Sequence, residues 1–137
     1  MGIAENKQTV LAFIEGMAKN PAVWDSMADT ADWWIQGKGI ISKAEIRAIA
    51  GSLAGMATSS QMFIDHVTAE EDRVAVESHS QFAMADGRLF ENTYHFLFVL
   101  EQGMIVSVRE HFDTGYANDF FGSEVQDALI ASERSQA

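Results

Sequence analysis

From Gln61 to Asp113 the chain carries four runs rich in Val, Phe, Tyr and Thr, broken at Glu70-Glu71-Asp72, Asp86-Gly87 and Gln102-Gly103. Such runs are strands, at about 61–68, 73–84, 90–100 and 104–113. Breaks this short leave no room for a crossover helix, so each strand must turn back and pair antiparallel with the one before it. A meander of this kind restricts the chain to folds with one continuous sheet.

The first half is built differently. Ile3 to Lys19 sets Ile3, Val10, Leu11, Ile14, Met17 and Ala18 near one helical stripe, with Glu5, Lys7 and Glu15 left for water. Asn20-Pro21 opens a short second helix carrying Val23, Trp24 and Met27. Ala31 to Gln36, with adjacent tryptophans, predicts a strand that Gly37 and Gly39 end. Ser42 and Glu45 form a capping box, after which Ile46, Ile49, Leu53 and Met56 recur at helical spacing. After Asp113, Tyr116–Phe121 and Ser123–Ser132 read as short helices, with residues 1–2 and 132–137 loose at the ends. Helices first and long strands afterwards predict an α+β fold: a strongly bent, cone-shaped antiparallel sheet wrapped around N-terminal helices, one domain over 1–137. A bent sheet covered on one face leaves a hollow suited to a small organic ligand.

Composition narrows the partners. The net charge of −11, from 20 acidic against 9 basic residues, repels phosphate backbones and anionic lipid surfaces, so neither nucleic acid nor membrane is expected. No cysteine is present, which removes disulfides and thiolate metal sites. The opening MGIAENKQTVLAF lacks a basic flank and an apolar run, and no stretch approaches a membrane span, so the expected location is the cytoplasm. No phosphate loop, dinucleotide fingerprint, nucleophile elbow or metal motif occurs, and neither a cofactor nor a metal is expected.

A two-residue Gln102-Gly103 turn pairs Glu101 with Met104; continued without interruption, it sets Leu97 opposite Val108 and His95 opposite Glu110. Alternation then places His95, Leu97, Val99, Val106, Val108, Glu110 and Phe112 on one face. Asn92, Tyr94, Phe96, Phe98, Ile105, Ser107, Arg109, His111 and Asp113 take the other. Both faces are apolar enough to be covered, one by helices and the other by a second subunit. A histidine opposite a glutamate among apolar neighbours is either an acid–base pair or a structural histidine satisfied by a carboxylate. On the preceding strand Glu77 and His79 share a face, turned to the hollow or to water.

The stretch from Asp86 to Thr114, with N-x-Y-H-F, G-x-I and R-E-x-x-D-T at Asn92, Gly103 and Arg109 onward, resembles the closing strands of SnoaL-like proteins. These belong to the superfamily of ketosteroid isomerase, limonene epoxide hydrolase and nuclear transport factor two. The order of elements before it matches as well. The resemblance implies a cone with a pocket between sheet and helices, and a homodimer through the outer sheet face. In the epoxide hydrolase branch two acids flank an arginine. Here Glu110 falls on one acid, His79 on the other and Glu77 on the arginine, so that triad is broken. The same alignment sets Glu77, His79 and Glu110 on the pocket side with His95 opposite Glu110, given a one-residue bulge between the strands at 73–84 and 90–100. Cyclases of the SnoaL type pair an acid with a histidine, as His95 and Glu110 would.

The resulting expectation is cofactor-independent acid–base chemistry of isomerase or cyclase type on a small, apolar, carbonyl-containing molecule. Glu110 is the base, His95 its partner, His79 and Gln36 hydrogen-bond donors, and Trp34 the apolar wall facing inward. Glu77, Leu97, Phe63 and Tyr94 complete the substrate-binding set. The alternatives are a non-catalytic binder of a hydrophobic ligand and a dimerisation module with a vestigial pocket.

Overall fold

A computed structural model describes residues 2–122 and 125–135. Helix α1 (Ile3–Gly16) stops three residues before the predicted end at Lys19. Val23 packs onto Gly16 so closely that a Cβ there would lie 2.6 Å from its Cγ1, and the chain turns at that point. Asn20 then caps a 3-10 turn (Pro21–Ser26), accepting from the Ala22 N–H at 3.1 Å. Strand β1 (Met27–Ile35) begins at Met27, which the sequence had suggested was helical, and β2 (Gly39–Ser42) forms where only a strand end was expected. Helix α2 (Lys43–Gly55) opens with the complete capping box: Ser42 Oγ accepts from the Glu45 N–H, and Glu45 accepts from the Ser42 N–H.

The long strands follow as β3 (Ala57–Glu70), β4 (Arg73–Met84), β5 (Leu89–Phe90), β6 (Thr93–Glu101) and β7 (Met104–Phe112). The expected strand at 90–100 is thus two, separated at Glu91-Asn92. Helices α3 (Thr114–Phe121) and α4 (Val125–Ser135) end the described chain. The start of the predicted last helix at Ser123, and the last two of the terminal residues expected to be loose, lie outside the described residues; α4 itself runs on to Ser135.

The strands form a curved, unclosed seven-stranded sheet in the order β2-β1-β7-β6-β4-β3, with β5 on β4. It is α+β, but not wholly antiparallel: β1 runs parallel to β7, a pairing no local signal announced. The inner face of the sheet is covered by helices. It carries Trp33 and Ile35 on β1, Val74 and Val76 on β4, Phe96, Phe98 and Leu100 on β6, and Val108 on β7, all at most 2% exposed. Phe13 of α1 enters this layer with ring centroids 5.0 Å from Trp24 and 5.9 Å from Phe98. Burying each of these large side chains contributes about 1.5–3 kcal/mol, which makes the layer the main source of stability.

One irregularity decides what faces the core. The turn at Gln102-Gly103 has positive φ at both residues, 52° and 82°, as a tight hairpin requires, and pairs Glu101 with Met104 as expected. Leu100 still pairs with Ile105, but Val99 pairs with Ser107, so Val106 is bulged out of register. Beyond that bulge every partner shifts by one: Phe96 faces Glu110, Leu97 faces Arg109 and His95 faces His111. The expected pairing of His95 with Glu110 is therefore incorrect, and the two residues lie on opposite faces of the sheet.

Candidate functional site

Residue 110 is reached by β7 after the bulge, and its side chain points into the core with 9% of its surface exposed. Glu110 Oε1 accepts a 2.8 Å hydrogen bond from the indole Nε1–H of Trp33, while no donor among the described residues reaches Oε2. Burial pushes the Glu110 carboxyl up to about 7, against the opposing pull of the Trp33 hydrogen bond. The group is thus poised to hold or release a proton near neutrality, with one oxygen anchored and the other free.

Glu110 borders a cavity of about 90 Å³ between sheet and helices. Its sheet wall is Met62, Phe82, Phe90, Phe96 and Phe112, with Asn92 and Tyr94. Helix α2 supplies Ile46, Ile49, Ala50 and Leu53, one helical stripe, and Met17 with Ala18 comes from the end of α1. Helix α3 covers the remaining side through Ala117, Asn118 and Phe121. Asp113 caps that helix through the Tyr116 N–H at 3.0 Å. Arg88 holds its far end, donating to the Phe120 carbonyl at 2.7 Å and stacking 4.0 Å above the Phe120 ring.

Polar groups in this cavity are few. Asn92 is committed to structure: its Oδ1 accepts from the Thr93 and Asp113 N–H groups and its Nδ2 donates to the Asp113 carbonyl. Tyr94 Oη lies 3.0 Å from Ser80 Oγ. Burial, with a smaller contribution from the Glu110 charge, raises the Tyr94 hydroxyl well above its ordinary value, so it stays a neutral phenol. Tyr94 and Glu110 are diagonal neighbours on adjacent strands, since Tyr94 pairs with Phe112 and Phe96 with Glu110. The side chains of Glu110 and Tyr94 thus line one apolar cavity from the same wall.

Of the residues singled out from sequence, Glu110 and Tyr94 line this cavity. The others lie on the opposite, outer face of the sheet. His95 is exposed, cross-strand from Glu77 and from His111. His79 bonds to Asp65 at 2.9 Å and stacks on Phe63 with centroids 4.8 Å apart. Leu97 pairs with Arg109 on that face, and Gln36 is exposed just beyond β1. Trp34 also faces outward, its ring 5.0 Å from that of His111 and under the Arg109 guanidinium at 4.2 Å. The inward tryptophan is Trp33, at 1% exposure.

Two of these corrections had a signal in the sequence. Ala31, Trp33 and Ile35 alternate with Asp32, Trp34 and Gln36, so parity alone favours Trp33 inside. Likewise Tyr94, Phe96, Phe98 and Leu100 are the more apolar face of β6, and only a bulge lets both Ile105 and Val108 join them. Alternation sets Ser80 on one face of its strand with Val74, Val76 and Ser78, but serines spaced this way carry no signal of a functional site. Among the described residues no group of three or more His, Asp or Glu side chains is arranged to hold a metal ion.

Known structures share this architecture. A SnoaL-like protein from Jannaschia sp. CCS1 superimposes with a TM-score of 0.73 at 18% identity, covering 85% of this chain and 92% of its own. A nuclear transport factor two-like protein of unknown function from Burkholderia pseudomallei K96243 gives 0.72 at 20% identity, covering 90% and 100%. A hypothetical protein with a ketosteroid isomerase-like fold from Catenulispora acidiphila DSM 44928, solved with trimethylamine, gives 0.69 at 14% identity, covering 88% and 95%. Likeness at such identities establishes the fold alone. No curated protein matches the chain. The SnoaL-like domain family, however, matches residues 5–108, and with the bent sheet, the helix-covered cavity and the closing-strand motif this chain belongs to the SnoaL-like family.

Proposed function

We propose that this protein is a cofactor-independent acid–base enzyme of isomerase or cyclase type, in which Glu110 moves a proton on a small, largely apolar, carbonyl-containing molecule. The observation that carries this reading is the Glu110 carboxyl: buried, raised to about 7, held at one oxygen by Trp33 and open to the cavity at the other. A base of that strength removes a proton next to a carbonyl far better than a solvated carboxylate, and Tyr94 lies on the same wall to take the developing charge on oxygen. His95, His79 and Gln36 have no part in it, because the sheet separates them from the cavity. On a scale where about 150 Å³ holds benzene, a cavity of about 90 Å³ takes a compact substrate, and it admits a single six-membered ring as the flexible Met17, Leu53 and Met62 side chains in its lining yield.

The test needs no knowledge of the natural substrate. Exchange of the α-protons of cyclohexanone for deuterium, followed by NMR, is accelerated by the native protein and rises with pH through about 7. Glu110→Gln lowers that exchange by roughly 100-fold or more. Unchanged exchange in the variant sinks the assignment. A second reading, a non-catalytic binder of a hydrophobic molecule, draws on the almost wholly apolar lining; binding without exchange by the native protein would favour it.

Self-association belongs to the same proposal. Trp34, Phe63, Leu97 and Val99 leave partly buried apolar surface on the outer face, which suits a second copy of this chain in a homodimer. No described helix is long and apolar enough to cross a membrane. A cytoplasmic location fits a sequence without cysteine.

A further inference from the structure

Two serines interrupt the apolar inner face of β4, which otherwise carries Val74, Val76, Phe82 and Met84. One of them, Ser80, has no exposed surface. Its Oγ accepts a 3.2 Å hydrogen bond from the Asn92 N–H and stands 3.0 Å from Tyr94 Oη. The Asn92 peptide is itself fixed, because its side chain is tied to the Asp113 backbone by two hydrogen bonds. Ser80 Oγ is therefore an oxygen held in place, with one lone pair used and one proton free to rotate.

Such a hydroxyl can meet Tyr94 in two ways without losing a hydrogen bond. It can accept the phenol proton, or it can donate its own proton to Tyr94 Oη. In the second arrangement the phenol proton is free to be donated elsewhere, and the Tyr94 side chain borders the cavity diagonally from Glu110. No bond to a heavy atom forms or breaks, and no proton changes owner; two O–H bonds rotate together.

We infer that Ser80 is a positioning residue: by turning its hydroxyl toward Tyr94 Oη it makes the Tyr94 O–H a donor to an acceptor oxygen of a bound ligand. The pocket then selects ligands with a carbonyl or similar oxygen over hydrocarbons of the same shape. This rests on the proposed function for the identity of the cavity as the ligand site, but it concerns binding and does not need turnover. The adjacent Glu110 carboxyl keeps its anchor on Trp33 in either arrangement.

The experiment compares the dissociation constants of cyclohexanone and methylenecyclohexane, which differ by oxygen against CH₂, in the native protein and in Tyr94→Phe, Ser80→Ala and Ser80→Cys. Tyr94→Phe lowers the ketone preference about tenfold, the value of one hydrogen bond to a buried group. Ser80→Ala and Ser80→Cys each lower it about threefold to tenfold, with hydrocarbon affinity unchanged. The C=O stretch of bound cyclohexanone moves to higher frequency in the same three variants. An unchanged preference in both Ser80 variants overturns the inference, as does a preference lost in Ser80→Ala but kept in Ser80→Cys, which would mean packing and not hydrogen bonding. Equal loss of affinity for both probes, or failure of the native protein to bind either, also overturns it. A native protein that binds with the ketone preference but exchanges no α-proton sinks the acid–base function and leaves this inference standing.

Discussion

The Trp33 indole and the Glu110 carboxylate, 77 residues apart in sequence, meet in a 2.8 Å hydrogen bond inside the core. They meet because β1 lies parallel to β7 with Trp33 beside Val108 and Ile35 beside Glu110, and because the Val106 bulge has turned residue 110 inward. The bond aims one carboxyl oxygen and leaves the other to the cavity. It also supplies a single neutral donor, too little to offset burial, so the proton affinity of Glu110 stays high.

That imbalance makes stability depend on pH in a stated direction. Between about 4.5 and about 7 an unfolded chain has lost the Glu110 proton while the folded chain keeps it, so folding stability falls as pH rises across that window. The loss is complete above about 7 and amounts to roughly 3 kcal/mol. Glu110→Gln removes the dependence. Denaturant titrations should show the variant gaining on the native protein from pH 5 to pH 8; a constant difference across that range would count against a raised carboxyl.

Trp33→Phe separates the aiming of the carboxylate from its burial. With the N–H gone, nothing opposes desolvation, and the pH midpoint of Glu110-dependent proton exchange moves above about 7. Because Trp33 packs edge-on against Phe96 and Phe98, with centroids at 6.1 and 6.3 Å, the variant also loses about 1–3 kcal/mol of stability. A midpoint that moves down, measured in the folded variant, would refute the role given to the indole.

Helix α2 forms one wall of the cavity, and its first turn is held by the Ser42–Glu45 capping box and by Arg134 of α4, which binds Glu45. Burial works against ionisation of Glu45, but the Ser42 N–H and Arg134 outweigh it and hold that carboxyl below its ordinary value. Ser42→Ala is expected to destabilise the protein by about 1 kcal/mol in thermal unfolding, with Arg134→Ala adding a smaller increment since its side chain is largely exposed. No loss in Ser42→Ala would mean that tertiary packing alone holds α2.

For the outer face the expectation is a dimer by light scattering that Leu97→Glu converts to a monomer without unfolding. Leu97 lies in the middle of that face, between Ala75 and Arg109 of the neighbouring strands. A native protein that is monomeric at high concentration removes the second copy from the proposal.

Much of this architecture can be read from local pattern. The capping box at Ser42 and Glu45, the helical stripe at Ile46, Ile49 and Leu53, the Gln102-Gly103 turn and the meander of strands each depend on residues a few positions apart, where propensity and periodicity act. Glu110 also stood out as a carboxylate among apolar neighbours. Its partner did not, and the reason is the period of two in a strand: one bulged residue exchanges every side chain beyond it between the faces. Val106 sent Glu110 to Trp33 and Tyr94 and left His95 with Glu77 and His111 on the outside. The parallel pairing of β1 with β7 is likewise a contact of long range that no neighbouring residues encode. The sequence by itself thus determined most of the elements, how most of them turn, and that a buried acid would occur among them. Tertiary structure alone decided which face that acid occupies and which residue holds it, because those depend on register and on strands far apart in the chain meeting at one point.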